Sequence, residues 1–179
     1  LGHLHESMVS GKNEGLIEFS GTAPTLYERL AQQPHLEKIF QDAMEDISKQ
    51  ANIDLSNYVD FSNTKCLVDV GGGNGSNIIC LAKKYKNLKA IVFDRTTVCE
   101  IAQKNIAANH LQDRCSTVTG DCFKTEFPSE ADAIIFCHFM TIWTEEKDQF
   151  LLNKAYQALP KGGKVYIFNM MQNNTADGP

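Results

Sequence analysis

Three aspartates, a run of glycines and one histidine near the only tryptophan are the residues of this sequence whose types and spacing could do chemistry. The glycines stand in VDVGGGNGSN, Val68 to Asn77, where an apolar run turns directly into an amphipathic stretch. Gly71, Gly73 and Gly75 permit a tight turn and a close approach of backbone to ligand, and the helix that follows presents free N–H groups. A dinucleotide fingerprint G-x-G-x-x-G starting at Gly71 needs its third glycine at the position held by Ser76, so that match is imperfect. Asp69 lies two residues before the loop, where a carboxylate favours an ammonium or sulfonium ligand over a diphosphate, which it repels. Asp94 ends the next apolar run, KAIVFD, placed to accept hydrogen bonds from ribose hydroxyls, and Asp121 in TGDCF offers an acceptor suited to an exocyclic amine. Taken singly, each acid reads as a turn or helix-cap residue. Three acids at three successive strand ends point to a bound nucleoside.

The histidine lies in DAIIFCHFMTIWTEE, residues 132–146. His138 closes a strand-like block, and its imidazole titrates in the range useful to a base. The alternative is a hydrogen-bonded histidine at a strand end. His3 and His5 have the alternate spacing of metal ligands but no third ligand nearby, so no metal site is expected.

The elements that must position these residues follow from hydrophobic periodicity. From residue 65 onward, KCLVDV, SNIICLAKKY, KAIVFD, VCEIAQKNIAANH, CSTVTGD, ADAIIFCHF, EEKDQFLLNKAYQAL and GKVYIFNM read as β-α-β-α-β-β-α-β. That alternation predicts an α/β fold, a Rossmann-like doubly wound sheet with mostly parallel strands, whose ligands bind beyond the carboxyl ends of the strands. Before it, residues 24–52 show helical spacing broken at Pro34, which predicts two helices. The expected organisation is a helical linker and acceptor-pocket segment over 1–62, then a nucleotide-binding domain over 63–179.

Composition narrows the partners. A net charge of −5 argues against nucleic acid and against an anionic membrane, and leaves a small, mostly neutral molecule. The six cysteines form no CxxC pair and mostly sit in apolar runs, as reduced core residues of an intracellular, cytoplasmic protein do. No apolar run approaches the ~18 residues of a membrane span, and LGHLHESMVSGKNEG is not a signal peptide.

Taken in order, LVDVGGGNGS, FD at 93–94, GDCF at 120–123 and YQALPKGGKVYI at 156–167 resemble the S-adenosylmethionine-dependent methyltransferases. The closer resemblance is to the small-molecule O-methyltransferases of the plant caffeate type and their bacterial natural-product relatives. FSGTAPTLYERLAQQPHLEKIFQDAMEDIS resembles that family's linker helices, so the similarity spans nearly the whole chain. The resemblance implies S-adenosylmethionine as cofactor, with Asp69, Gly71 and Gly73 lining it and Asp94 on its ribose. It also implies that Asp121, Cys122 and Phe123 border the adenine, that Cys137 lies beside the cofactor and that Ser48 lies near the methionine carboxylate. Phe40, Met44 and Trp143 match acceptor-pocket positions, although for Phe40 and Met44 plain helix packing is an equal alternative. The family's N-terminal dimerisation helices fall before Leu1 and its last strands after Pro179. A piece of a longer, homodimeric protein is therefore expected, with an open sheet edge.

One family block does not match. A His-Asp-Trp block aligned without gaps puts its tryptophan on Trp143, its aspartate on Ile142 and its catalytic histidine on Thr141. The glutamate that steadies that histidine falls on Asn169. A threonine hydroxyl is no base near neutral pH, and Asn169 supplies no charge. The expected activity is methyl transfer to a small acceptor by proximity and alignment, O-methylation first. N- or C-methylation, a non-methylating reaction assisted by the same cofactor, and a catalytically degenerate binding module stay open.

Overall fold

In a computed structural model the chain is described over residues 2–23, 25–30, 32–169 and 175. It divides into two compact units, Leu1–Ile47 and Ser48–Pro179.

In the first unit, α1 (Leu4–Ser10) ends at Gly11, which takes the left-handed conformation that a helix C-terminus favours. A 3₁₀ turn (Glu14–Glu18) and α2 (Leu26–Leu30) follow. Arg29 ties these pieces together, donating from Nε to Ala23 O at 2.7 Å and from Nη1 to Phe19 O at 3.0 Å and to Leu16 O. Helix α3 (Pro34–Tyr58) begins on Pro34 itself, because proline lacks the N–H that a first turn leaves unused.

The second unit is a parallel sheet. Its described strands are β1 (Cys66–Val70), β2 (Lys89–Asp94), β3 (Cys115–Thr119), β4 (Ala133–Cys137) and β5 (Lys164–Phe168), ordered β3-β2-β1-β4-β5. Every pairing is parallel, as the β-α alternation requires, and the strand order reverses between β1 and β4. Helices α4 (Ser76–Lys84), α5 (Thr96–Ala108) and α6 (Glu145–Ala158) cover it. Because side chains alternate along a strand, the sheet feeds two cores. Leu67, Ala90, Val92 and Ile135 pack with Ile78 and Leu81 of α4 and Ala102 and Ile106 of α5. Val68, Ile91, Phe93, Ile134 and Phe136 pack with Phe127 and with Leu151 and Ala155 of α6. Strand β5 is an edge among the described residues, with Val165 and Ile167 exposed.

The boundary between compact units lies inside α3, earlier than the 62/63 boundary expected from hydrophobic periodicity. Leu55 and Phe61 are the reason, since both are buried in the first of the sheet's cores, which gives the end of α3 to the sheet unit. All six cysteines are free thiols. Among the described residues no helix is long and apolar enough to cross a membrane.

Candidate functional site

The turn after β1 depends on its glycines. Gly71, Gly73 and Gly75 have φ of 71°, 56° and 80°, a region that other residues enter only under strain. Gly71 N–H donates to Phe93 O at 2.8 Å and Gly73 N–H to Asp94 Oδ2 at 3.0 Å, so the loop folds across the end of β2. A Cβ on Gly71 would fall 2.3 Å from Cδ2 of Phe139, and one on Gly72 2.9 Å from Oδ2 of Asp69. An aromatic ring therefore walls the loop at Gly71, and a buried carboxylate does so at Gly72.

Asp69 is fully buried. Its Oδ2 accepts from Asn77 Nδ2 at 3.0 Å, while Oδ1 has no partner. Burial pushes its carboxyl up to about 7; the Asn77 hydrogen bond opposes the rise and the negative charge of Asp94 adds to it. A desolvated carboxylate with a vacant oxygen is an acceptor for a cationic N–H group. Asp94 is half-buried and accepts from Arg95 N at 2.7 Å as well as from Gly73. Burial raises its carboxyl, with those two backbone bonds opposing.

Asp121 stands two residues past the end of β3, not on it. Its Oδ1 accepts from Phe123 N at 2.9 Å and its Oδ2 lies 3.2 Å from Lys124 Nζ. Those hydrogen bonds hold its carboxyl below the usual range, and the side chain is committed to its own turn. The turn nevertheless abuts Asp94, because Gly120 N–H donates to Asp94 O at 2.9 Å. Burial raises the Cys122 thiol to about 11, and burial with the charge of Asp69 raises that of Cys137.

At the end of β4, His138 takes the left-handed conformation, φ 49°, uncommon for a residue with a side chain. Its N–H donates to Phe168 O at 2.8 Å, its ring stands edge-on to Phe168, and Nδ1 lies 3.3 Å from Asn169 Oδ1. Nε2 is buried and without a partner. The histidine is thus hydrogen-bonded at a strand end, with Asn169 as its side-chain neighbour. Thr141 is exposed, on a 3₁₀ turn (Met140–Ile142) whose Met140 is buried. Trp143 packs edge-on against Phe123 at 4.9 Å and tilted against Phe139 at 5.8 Å, with Lys147 Nζ 4.9 Å from its ring.

The remaining expected positions belong elsewhere in the chain. Phe40 meets Tyr27 edge-on at 5.7 Å and Met44 is half-buried, both on the part of α3 in the first unit. Ser48 lies in α3 with its side chain outside the described residues. His3 Nε2 engages Glu18 Oε1 at 2.6 Å, and among the described residues no group of three or more potential ligands could hold a metal ion.

Phe139, Asn77 and Lys154 also belong to this region, and none of them was expected from the sequence. Phe139 and Asn77 carry no local signal. Lys154 does, since it falls on the apolar stripe of α6 with Leu151, Ala155 and Ala158.

The O-methyltransferase domain family matches residues 1–179. The L-tyrosine C(3)-methyltransferase of Streptomyces lavendulae is 40% identical over 174 residues, 97% of this chain and 48% of that protein. The 3-hydroxy-5-methyl-1-naphthoate 3-O-methyltransferase of Streptomyces sahachiroi is 33% identical over 125 residues, 70% of this chain and 36% of that protein. Among solved structures, the S-adenosylmethionine-dependent methyltransferase SibL in its apo form superimposes with a TM-score of 0.83 at 36% identity, covering 99% of this chain and 52% of that one. The chain spans 36% to 52% of the length of these relatives.

Proposed function

The chain belongs to the O-methyltransferase domain family, and from that premise we propose that it binds S-adenosylmethionine at the carboxyl ends of β1, β2 and β4 and methylates a small, natural-product-like acceptor. The observation that carries this reading is Asp69: a buried carboxylate with one vacant oxygen, beside a left-handed glycine loop that is hydrogen-bonded to Asp94. These residues fit the ligand. Asp69 Oδ1 suits a cationic ammonium and Asp94 suits ribose hydroxyls, and the turn at Gly71, walled by the ring of Phe139, folds the loop across the end of β2 between them. Asp121, Cys122 and Phe123 border the adenine in this reading, and Trp143 the acceptor. Bound S-adenosylmethionine supplies an electrophilic methyl group on sulfur.

The protein's part is to align donor and acceptor and to exclude water, which accounts for much of the acceleration of an in-line displacement. A strong base is not part of this reading. Thr141 stands at the base position, and Asn169, the partner of His138 Nδ1, is neutral and stabilises an imidazolium less than a carboxylate does. O-methylation of an acceptor already acidic enough to ionise is the leading case. Methylation of a phenol ring carbon is the second, suggested by the similarity to a tyrosine C(3)-methyltransferase. A homodimer and a role in secondary metabolism are proposed from the family resemblance; a cytoplasmic location is proposed from the free thiols.

The test is the full-length protein with S-adenosylmethionine carrying an isotopically labelled methyl group and a panel of phenols, hydroxynaphthoates and tyrosine. S-adenosylhomocysteine is expected in equal amount to a product one methylene heavier, and the chemical shift of the labelled carbon separates methoxy from ring methyl. Tight cofactor binding with no methylated product across the panel overturns the transferase reading.

A further inference from the structure

We infer that Lys154 is a positioning residue that seats the loop after β3, Gly120 to Phe127, against the nucleoside side of the site; this rests on the proposed binding of S-adenosylmethionine there. Lys154 is a buried ammonium group, 6% exposed, on a helix stripe that otherwise carries Leu151 and Ala155. An apolar residue would fill that position at less cost, since burying a charge is expensive unless it is hydrogen-bonded. Among the described residues no carboxylate lies within ion-pair distance of its Nζ. The ammonium donates to Cys122 O at 3.0 Å and to Thr125 O at 2.5 Å, and lies 4.9 Å from the ring centre of Phe127.

These contacts complete the loop. Its own bonds run from Asp121 N to Thr125 Oγ1, from Phe123 N to Asp121 Oδ1, and from Lys124 N and Thr125 N to Asp121 O. The carbonyls of Cys122 and Thr125 are left to Lys154. The peptide joining Cys122 to Phe123 is therefore held at both ends, its N–H by Asp121 and its C=O by Lys154. A peptide clamped in this way fixes the direction of the Phe123 side chain, whose ring stands edge-on to Trp143. Gly120 N–H at the loop's start is bonded to Asp94 O, so a shift of the loop is felt beside the acid proposed for the ribose. Lys154 thus acts through the loop and touches no ligand itself.

The experiment compares wild type, Lys154→Met and Lys154→Gln as full chains, by calorimetry with S-adenosylhomocysteine and with adenosine, by Trp143 fluorescence, and by steady-state kinetics. Lys154→Met is expected to weaken both ligands by the same factor, about tenfold, the scale on which one charge-assisted hydrogen bond acts. It should shift Trp143 emission and raise the KM for S-adenosylmethionine with kcat nearly unchanged. Lys154→Gln, which keeps one donor, should lose less. Leu151→Val is the control: it lowers stability and leaves both affinities alone, which separates seating of the loop from loss of stability. Wild-type affinity and emission in Lys154→Met, or in Lys154→Gln should the methionine variant not fold, overturn the inference. A wild-type protein that binds neither ligand overturns the proposed function instead, and the emission shift then decides alone whether Lys154 seats the loop.

Discussion

Asp69, proposed as the acceptor for a cationic ligand, ties the stability of the fold to pH. Unfolded, its carboxyl titrates near 3.8; folded, near 7. Between those values the folded chain holds the extra proton, so the stability tied to Asp69 is full at low pH and is lost as pH rises through about 7. A cationic ligand acts the other way, because it favours the ionised form. Asp69→Asn should therefore raise the ligand-free melting point above neutrality, by about 1–3 kcal/mol of stability, and flatten its decline with pH. The same variant should weaken S-adenosylmethionine binding, and it should abolish the rise in affinity through neutral pH that the wild type is expected to show. Thermal melts and calorimetry on either side of neutrality check both; an unchanged melting profile removes Asp69 from the account. The carboxylate itself was visible in VDVGGG. Its burial was not, since desolvation depends on α4 and the glycine loop closing over it.

At the scale of one element, the β1–α4 turn separates two demands on glycine that sequence cannot distinguish. Gly73 has φ 56° and open space where a Cβ would stand, whereas Gly71 has φ 71° and the ring of Phe139 at 2.3 Å. Gly73→Ala should cost only the left-handed strain, about 1–2 kcal/mol. Gly71→Ala carries that strain and a clash, so it should cost more and should weaken S-adenosylhomocysteine binding as well. Denaturant midpoints and calorimetry on the two variants give the comparison, and equal effects in both would show that Phe139 does not wall the loop. The glycine loop was legible because a turn into a helix makes local demands on φ. Phe139, 68 positions further along, was not.

For the molecule as a whole, the informative element is α3, which contributes to both compact units. Its C-terminal end is sheet core: Leu55 is 1% exposed among Phe61, Leu81 and Ile135. Leu55→Ala should destabilise the sheet unit by about 2–5 kcal/mol, as cavities in close-packed cores do. A chemical melt followed by far-UV circular dichroism tests this, and a loss well below that range would return residues 48–62 to the helical segment that periodicity suggests. Helical periodicity broken at Pro34 placed the two helices. It could not say where one compact unit ends, because that depends on which apolar face finds a partner.

What the sequence by itself determined is the order of elements, the glycine turn and the acids near the ends of β1, β2 and β3. Each of these is dictated by neighbours a few residues away, through hydrophobic period and backbone freedom. Tertiary structure decided which of those residues become a site. It buried Asp69 and left one oxygen vacant, and it committed the carboxylate of Asp121 to its own turn. It also joined His138 to Asn169 across 31 positions and set Lys154 beneath a loop 32 positions earlier. Burial and pairing at such separations arise only when strands and helices are stacked, and no local pattern encodes them.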